Sequence, residues 1–119
     1  RAVIHRIQDA MAPCDYLFIK EESRMKKALK IIEEAKSELN YLYAENPHML
    51  SKCIDAHAMS LCGELFYHAS LLRKESRGFH FREDFPYEKE EWLCWQVFEK
   101  QGNGFRVTCE KIPEFIYDY

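Results

Sequence analysis

The residues best suited to chemistry lie together in one short stretch, ESRGFHFREDFP, which runs from Glu75 to Pro86. It carries two arginines, one histidine and three carboxylates. Guanidinium groups are planar, permanently charged forks that suit carboxylates, phosphates or backbone carbonyl groups. Two interpretations are open: these residues contact a ligand, or they pair with one another in a structural clasp. The candidate clasp residues are Glu75, Arg77, Gly78, His80, Arg82 and Asp84.

A metal centre and a nucleophilic site find little support in the residue spacing. Cys53 and His57 are one helical turn apart, but His68 would lie about 16 Å from His57 along a helix axis. Zinc requires four ligands, so core or interface roles are expected for these residues. Ser76 has only His80 as a nearby base, and no cysteine adjoins a base and an orienting group. GxGxxG is absent as well. We therefore predict no catalytic, metal-binding or cofactor-binding residue in this chain.

The composition indicates one folded domain. The chain has 119 residues, 47% of them hydrophobic and 31% charged, and a formal net charge of −3. This charge gives no electrostatic reason to expect nucleic acid or an anionic membrane as a partner. No apolar run approaches the ~20 residues that span a bilayer.

The five cysteines include no CxxC pair, which predicts mostly buried free thiols in a reducing cytoplasm. Since the chain opens with Arg1, we expect a piece of a larger protein.

Apolar residues at steps of three and four predict three helices. The first should end at Ala12, because the residue before a proline disfavours helical geometry. The second runs from about Glu21 to Ala44, with one apolar stripe and a solvated lysine- and glutamate-rich face. The third runs from about Pro47 to Lys74, with Asn46 as its N-cap. Its predicted buried stripe is Leu50, Ile54, Ala58, Leu61, Leu65, Ala69 and Leu72. A second set widens this stripe, so more than one side of the helix should be covered: Cys53, Ala56, Cys62, Phe66 and Ala69. Small residues along this helix should permit close approach by its neighbours.

After Lys74, alternating patterns replace the helical spacing. Aromatic and charged residues alternate from Phe79 to Arg82, so they should face opposite sides of an extended segment. A strand at Trp92 to Phe98, a turn at Gln101 to Gly104 and a returning strand from Phe105 to Glu110 predict a β-hairpin.

The predicted fold is mainly α: a three-helix bundle, spectrin-repeat-like, followed by a C-terminal extended segment and a β-hairpin. Residues 1–74 form the helical bundle, and residues 75–119 pack on it within one domain. Cys14 to Lys20 is predicted to be a connector, and the tail from Lys111 to Tyr119 to be extended or irregular.

The stretch from Glu75 to Pro86 resembles a segment of the flavoprotein subunits of the succinate dehydrogenase and fumarate reductase family. In that family the last long helix leads into a segment similar to ESRGxHxREDFP, and only Phe79 and Phe81 fall at its variable places. Residues 58–74 and 7–11 are also similar to the family's helices. The resemblance covers nearly the whole chain, and the twelve-residue motif is specific. L-aspartate oxidase and the adenylylsulfate reductase alpha subunit are relatives within this family.

The resemblance implies a parent flavoprotein oxidoreductase with an FAD-binding domain upstream of this one. FAD would exchange hydride with a small substrate in the parent. The family's flavin-binding and substrate-binding residues lie upstream, so no catalytic residue is carried over and the isolated fragment should not be catalytic. The upstream flavin-binding domain is the implied partner. The resemblance leaves open an iron–sulfur electron-transfer subunit, through which a cytoplasmic protein could associate with a membrane. Trp92, Trp95 and the hairpin turn differ from the respiratory enzymes, which leaves the substrate open.

Two alternatives to this assignment remain. The first is a stand-alone helical protein-interaction module. The second is an isolated small enzyme or metal protein, which would need a bound ion. A fragment of a larger protein is also expected to expose an apolar patch where the parent covers it.

Overall fold

A computed structural model describes residues 1–113 of the chain. The helices are α1 (Ala2–Met11), α2 (Cys14–Leu17), α3 (Glu22–Glu38) and α4 (Pro47–Leu72). The strands are β1 (Ile19–Lys20), β2 (Phe81–Arg82), β3 (Cys94–Gln101) and β4 (Gly104–Lys111). Short 3-10 turns lie at Leu39–Tyr41 and Glu90–Trp92. The described chain is mainly helical with a hairpin at its end, as predicted; most of the predicted tail lies outside it. Within residues 1–113, no helix combines the length and apolarity that a membrane crossing needs.

Helices α1, α3 and α4 contact one another in pairs and enclose the apolar core. α1 ends at Met11, close to the end that Pro13 predicts. The predicted stripe of α3 is confirmed, and the lysines and glutamates on its other side are exposed. The buried residues of these two helices are Val3, Ile7 and Ala10 in α1 and Met25, Ala28, Leu29, Ile32 and Ala35 in α3.

The predicted end of α3 at Ala44 is wrong. The α-helix ends at Glu38, a 3-10 turn follows, and Leu42 is already extended with φ −70° and ψ 137°. 3-10 turns are common at helix ends, and Asn40 and Tyr41 are weaker helix formers than the residues before them. The tightened turn keeps Leu39 buried in the core.

The start of α4 is confirmed, whereas its end is two residues early. The Asn46 side chain accepts a hydrogen bond from the backbone N–H of Met49 at 2.9 Å, and Pro47 is the first helical residue. The helix ends at Leu72, because Arg73 is extended with φ −75° and ψ 99°.

The predicted main stripe of α4 is wrong, since none of its residues is fully buried, whereas Ala56 of the second set is buried. Leu50 is 53% exposed, Ile54 61% and Leu61 50%. The face that packs on α1 and α3 carries small residues and one tyrosine: Ala56, Ser60, Gly63, Tyr67 and Ser70.

Close packing at Gly63 explains why the face with small residues is the buried face of α4. A Cβ atom at Gly63 would lie 2.8 Å from Cδ1 of Ile32 and 3.2 Å from Sδ of Met11. The backbone of α4 therefore approaches its neighbours more closely than leucine side chains would allow. As predicted, small residues make the helix contact, but they displace the leucine stripe from it.

The connector after α1 contains regular structure that the sequence did not predict. α2 forms one short turn of helix, and β1 then pairs with β2 in parallel. The register places Ile19 beside Phe81 and Lys20 beside Arg82. This pairing brings the segment before α3 against the segment that follows α4.

The predicted hairpin is confirmed with shifted strand bounds. β3 and β4 are antiparallel, and Gln101 pairs with Gly104 across a two-residue loop. Gly102, the first loop residue, has φ 59°, as a tight hairpin turn of this length requires. β3 begins at Cys94 because Trp92 belongs to a 3-10 turn.

The prediction of mostly buried cysteines is also wrong, although all five thiols are free. Cys14, Cys62 and Cys109 are exposed, Cys53 is half-buried, and Cys94 is buried. Cys62 is exposed because it lies on α4 away from the small-residue face that packs on the core.

Candidate functional site

Arg82 caps the C-terminal end of α4 from inside the molecule. Its side chain is fully buried. Nη1 donates to the carbonyl oxygens of Ser70, Leu71 and Arg73 at 3.0 to 3.2 Å. The last carbonyl groups of a helix lack intrahelical partners and form the negative end of its dipole. The guanidinium therefore satisfies these carbonyl groups and stabilises the helix end.

Asp84 connects Arg82 to the start of α3. Its carboxylate accepts from Nε of Arg82 at 2.9 Å and also from Nη2. The same carboxylate accepts the backbone N–H of Glu22 at 3.3 Å, in the first turn of α3, where the helix dipole is positive. The hydrogen bond from Arg82 is the main reason that the pKa of Asp84 lies below its usual value. The Arg82–Asp84 pair thus joins the negative end of α4 to the positive end of α3.

Glu75 is the centre of a second set of ion pairs. Its buried carboxylate accepts from Arg73, from Nε and Nη2 of Arg77 at 3.1 Å each, and from the backbone N–H of Lys89 at 2.9 Å. Burial by itself would raise the pKa of Glu75. The hydrogen bonds from Arg77, Lys89 and Arg73 outweigh burial and lower that pKa to about 2. Glu75 is therefore an ionised, fully bonded carboxylate at neutral pH.

Arg73 extends the network to the hairpin, a role that the sequence analysis missed. Nη1 donates to the carbonyl of Trp92 at 2.7 Å, and Nη2 donates to the carbonyl of Cys94 at 2.8 Å. The guanidinium carbon also lies 5.6 Å from the centre of the Trp92 ring. The sequence did carry a signal for this role: Arg73 is a basic residue at the C-terminal end of a helix and lies two positions before Glu75.

A tight turn at Gly78 folds the motif back on itself. The backbones of Arg77 and His80 exchange hydrogen bonds of 2.8 and 3.0 Å. Gly78 has φ 56°, a conformation that glycine adopts far more readily than other residues. A Cβ atom added at Gly78 would have no packing neighbour within 4 Å. Glycine is therefore favoured at this position by the backbone conformation and not by lack of space.

His80 turns inward beside Arg82, while Phe79 and Phe81 are exposed. The predicted alternation is confirmed, and the polar side is the inner one. Nε2 of His80 lies 3.1 Å from the carbonyl oxygen of Arg73, so it is the protonated nitrogen in the neutral ring. Burial is the main cause that lowers the pKa of His80, and nearby positive charges add to it despite the bond to Arg73.

Ser76 has a structural role in the same turn. Its hydroxyl accepts the backbone N–H of Arg82 at 2.8 Å and donates to the carbonyl of Phe85 at 2.8 Å. A hydroxyl held in this way acts as a bridge between backbone groups. Ser76 therefore fits the clasp better than it fits a nucleophilic site.

Lys20 is a second residue that the sequence analysis missed. It is buried, and its Nζ lies 5.4 Å from the centre of the Phe66 ring. Burial lowers the pKa of Lys20. Its place beside Arg82 depends on the parallel pairing of β1 with β2, for which the sequence carries no local signal.

The guanidinium groups of the clasp are already bonded within the chain. In Arg73, Arg77 and Arg82, Nε and both terminal nitrogens each donate to a described acceptor. A cleft of about 260 Å³ borders Arg73, Arg77 and His80, but the arginine nitrogens along it have partners. The geometry therefore favours a structural clasp over ligand contact. No group of three His, Cys, Asp or Glu side chains within residues 1–113 could hold a metal ion.

Comparisons with known proteins agree with the sequence resemblance. The family model described as "Fumarate reductase flavoprotein C-term" matches residues 5–114. The chain is 38% identical over 79 residues to an uncharacterized FAD-dependent oxidoreductase of Methanocaldococcus jannaschii, covering 66% of this chain and 15% of that protein. It is 37% identical over 65 residues to an L-aspartate oxidase of Bacillus subtilis, covering 45% of this chain and 12% of that protein. The chain thus spans a small part of the length of both relatives.

Proposed function

The chain belongs to the fumarate reductase flavoprotein C-terminal family, and we propose that it is the C-terminal domain of an FAD-dependent oxidoreductase. The match over residues 5–114 carries this proposal. The names of the two relatives support it, since one is an FAD-dependent oxidoreductase and the other an L-aspartate oxidase. In the proposed parent, FAD supplies the hydride chemistry on a small substrate.

We place the FAD site in the remainder of the parent and not in this chain. A dinucleotide-binding fold holds FAD with a glycine-rich turn whose backbone N–H groups bind the pyrophosphate. The four glycines of the chain lie inside α4, in the turn before β2, in the hairpin loop and at the start of β4, and none of them opens a helix after a strand: Gly63, Gly78, Gly102 and Gly104. Since the clasp arginines are bonded internally, the residues described do not fit FAD.

The proposed role of the clasp is to hold the C-terminal part of the domain rigid against the flavin domain. Arg82 and Asp84 hold the ends of α4 and α3 together, while Glu75 and Arg73 fix the segment that leads to the hairpin. The interdomain clasp then comprises Glu75, Arg77, Gly78, His80, Arg82 and Asp84, extended here by Arg73. The pairwise contacts of α1, α3 and α4 support a three-helix bundle at residues 1–74. The contacts of Arg82, Gln96 and Phe105 with α4 support packing of the described part of the C-terminal segment on this bundle.

The finer assignments of the parent also belong to this proposal. The flavin-binding domain of the same polypeptide is the primary partner, and an iron–sulfur subunit is a further candidate for the electron-transfer step. A cytoplasmic location is the accompanying expectation.

The decisive experiment mixes the purified 119-residue chain with FAD and follows flavin fluorescence and absorbance. We expect unchanged spectra for the chain, and bound flavin in the full-length polypeptide that the gene encodes. Tight stoichiometric binding of FAD by the chain alone would place the cofactor site here and contradict the proposal. Absence of flavin from the full-length polypeptide would contradict it as well.

A second candidate function is a stand-alone interaction module, which the exposed leucine side of α4 favours. The two functions differ in what precedes the domain. A glycine-rich dinucleotide-binding motif in the upstream reading frame supports the flavoprotein, whereas its absence supports the module.

A further inference from the structure

The outer face of α4 is apolar and open at its N-terminal half. Leu50, Ile54 and Leu61 are each at least half exposed. At 100° per residue they lie on the side of α4 opposite the buried Ala56 and Gly63. From residue 50 to residue 61 this face extends about 16 Å along the helix axis. We name it the outer face, defined by Leu50, Ile54, Ala58 and Leu61.

The chain's own hairpin already packs along the C-terminal continuation of this face. The ring of Phe105 lies 5.0 Å from the ring of His68, centre to centre. Nε2 of Gln96 donates to the carbonyl of Ala69 at 3.2 Å. The hairpin therefore contacts this side of α4 at His68 and Ala69, and the outer face is the uncovered part that precedes this contact.

A groove connects the covered and uncovered parts. It has a volume of about 550 Å³ and an apolar lining of Leu61, Leu65, Phe98 and Phe105. Lys36 and Glu64 form an ion pair at its edge. An apolar floor beside a charged edge is typical of grooves that accept an apolar helix or segment.

The size of the outer face argues for an occupant in the same polypeptide. A helix face about 16 Å long and about 10 Å wide offers only a few hundred Å² even with the groove. Stable complexes between separate proteins bury about 800 Å² on each partner. A covalently connected domain needs less, because the linkage raises its effective concentration to about the millimolar range. A second copy of this chain would lack that advantage.

We propose that the outer face of α4 and its groove are the surface on which the flavin-binding part of the same polypeptide packs. This inference rests on the proposed function. The two relatives are matched over only 15% and 12% of their length, so a parent of that kind holds ample polypeptide to cover this face.

Thiol labelling of the full-length polypeptide tests the proposal. Cys14, Cys62 and Cys109 are replaced by serine, and Ile54→Cys is introduced on the outer face. Tyr41→Cys and Lys30→Cys are matched controls on exposed positions of the same domain, since Tyr41 is 88% exposed and the Lys30 side chain 76%. We expect maleimide to react with Ile54→Cys at least tenfold more slowly than with either control in the native protein, and equally fast after unfolding in urea.

Each other outcome has a defined meaning. Reaction of Ile54→Cys within threefold of both controls overturns the proposal. Protection that disappears on dilution, with dimers in sedimentation, overturns it in favour of a second copy. Bound flavin is measured in the same samples. Flavin with a freely reactive Ile54→Cys refutes only the docking surface. Protection without flavin refutes the proposed function and the flavin-binding identity of the occupant, and leaves only a face that the same polypeptide covers.

Discussion

Arg82 connects the segment that follows α4 to the C-terminal end of that helix. It donates to three carbonyl oxygens at the end of α4 and to both oxygens of Asp84, and it has no exposed surface. A buried charge held in this way is costly to leave without a partner. The residue types that looked fit for chemistry are thus used to tie backbone ends together.

We expect Arg82→Ala to destabilise the domain by about 3–5 kcal/mol, because Asp84 and the carbonyl groups of α4 lose their buried partner. Arg82→Lys should recover part of this loss, since it restores the charge but not the planar fork. Urea unfolding followed by circular dichroism measures both. Arg106→Ala is the control, because its ion pair with Glu99 is exposed and should contribute less than about 1 kcal/mol. Unchanged stability with lost turnover in the parent would instead assign Arg82 to catalysis.

The carboxylate of Glu75 predicts how stability depends on acid. Its pKa in the folded chain is about 2, below the ordinary value of 4.5. A lowered pKa means that the folded state favours the ionised form. The contribution of Glu75 is therefore complete above about pH 4.5 and is lost as the pH falls through about 2.

Glu75→Gln should reduce stability at neutral pH and flatten the dependence of stability on pH between about 4.5 and 2. Denaturant unfolding of the two proteins at several pH values measures this. Glu99→Gln is the control, since Glu99 is exposed in its ion pair. Equal slopes for Glu75→Gln and the unsubstituted chain would contradict a lowered pKa at this site.

Helix α4 presents two different faces to two different surroundings. The face that packs on α1 and α3 carries Ala56, Ser60 and Gly63, while leucines and Ile54 lie outside. Because Gly63 has no side chain, the terminal methyl of Ile32 lies only 2.8 Å from the position that a Cβ atom would occupy. The helix is thus held to its neighbours by close backbone approach at Gly63 together with larger side chains, such as Tyr67 and Phe66, that pack in or against the core.

Substitutions at Gly63 should separate these contributions. Gly63→Ala is expected to stay within about 1 kcal/mol of the original chain, because the gain in helix propensity offsets the shift of the Ile32 methyl. Gly63→Leu should cost about 1–3 kcal/mol or more, since the core cannot accept the added volume. Thermal unfolding gives the comparison. Ala58→Leu on the outer face should change stability by less than about 0.5 kcal/mol; a large loss there would mean that the face is packed.

The whole molecule is elongated, with extents of 54 × 29 × 29 Å, and its apolar outer face continues towards the hairpin. This arrangement is expected of a domain that completes its packing against further structure. Its own stability should then depend little on the outer leucines.

The triple variant Leu50→Gln, Ile54→Gln, Leu61→Gln should keep the stability of the 119-residue chain within about 1 kcal/mol, because surface substitutions have small effects. Any concentration-dependent association of the 119-residue chain through the outer face should be weaker in the triple variant. Circular dichroism and sedimentation measure the two properties. The matched core variant Ile32→Ala should lose about 2–5 kcal/mol, and a comparable loss in the triple variant would contradict an exposed face.

Features that depend on neighbouring residues can be predicted from the amino-acid sequence alone. The Asn46-Pro47 cap, the α3 stripe and the hairpin loop at Gly102 were readable, because capping, periodicity and turn chemistry act over a few positions. The motif at Glu75 to Pro86 was recognised in a different way, through its resemblance to a known family. The buried face of α4 is known only from the three-dimensional fold, since it depends on how closely α1 and α3 can approach this helix. The fold also places Lys20 and Arg73 at the clasp, through a strand pairing and a hairpin contact between distant segments.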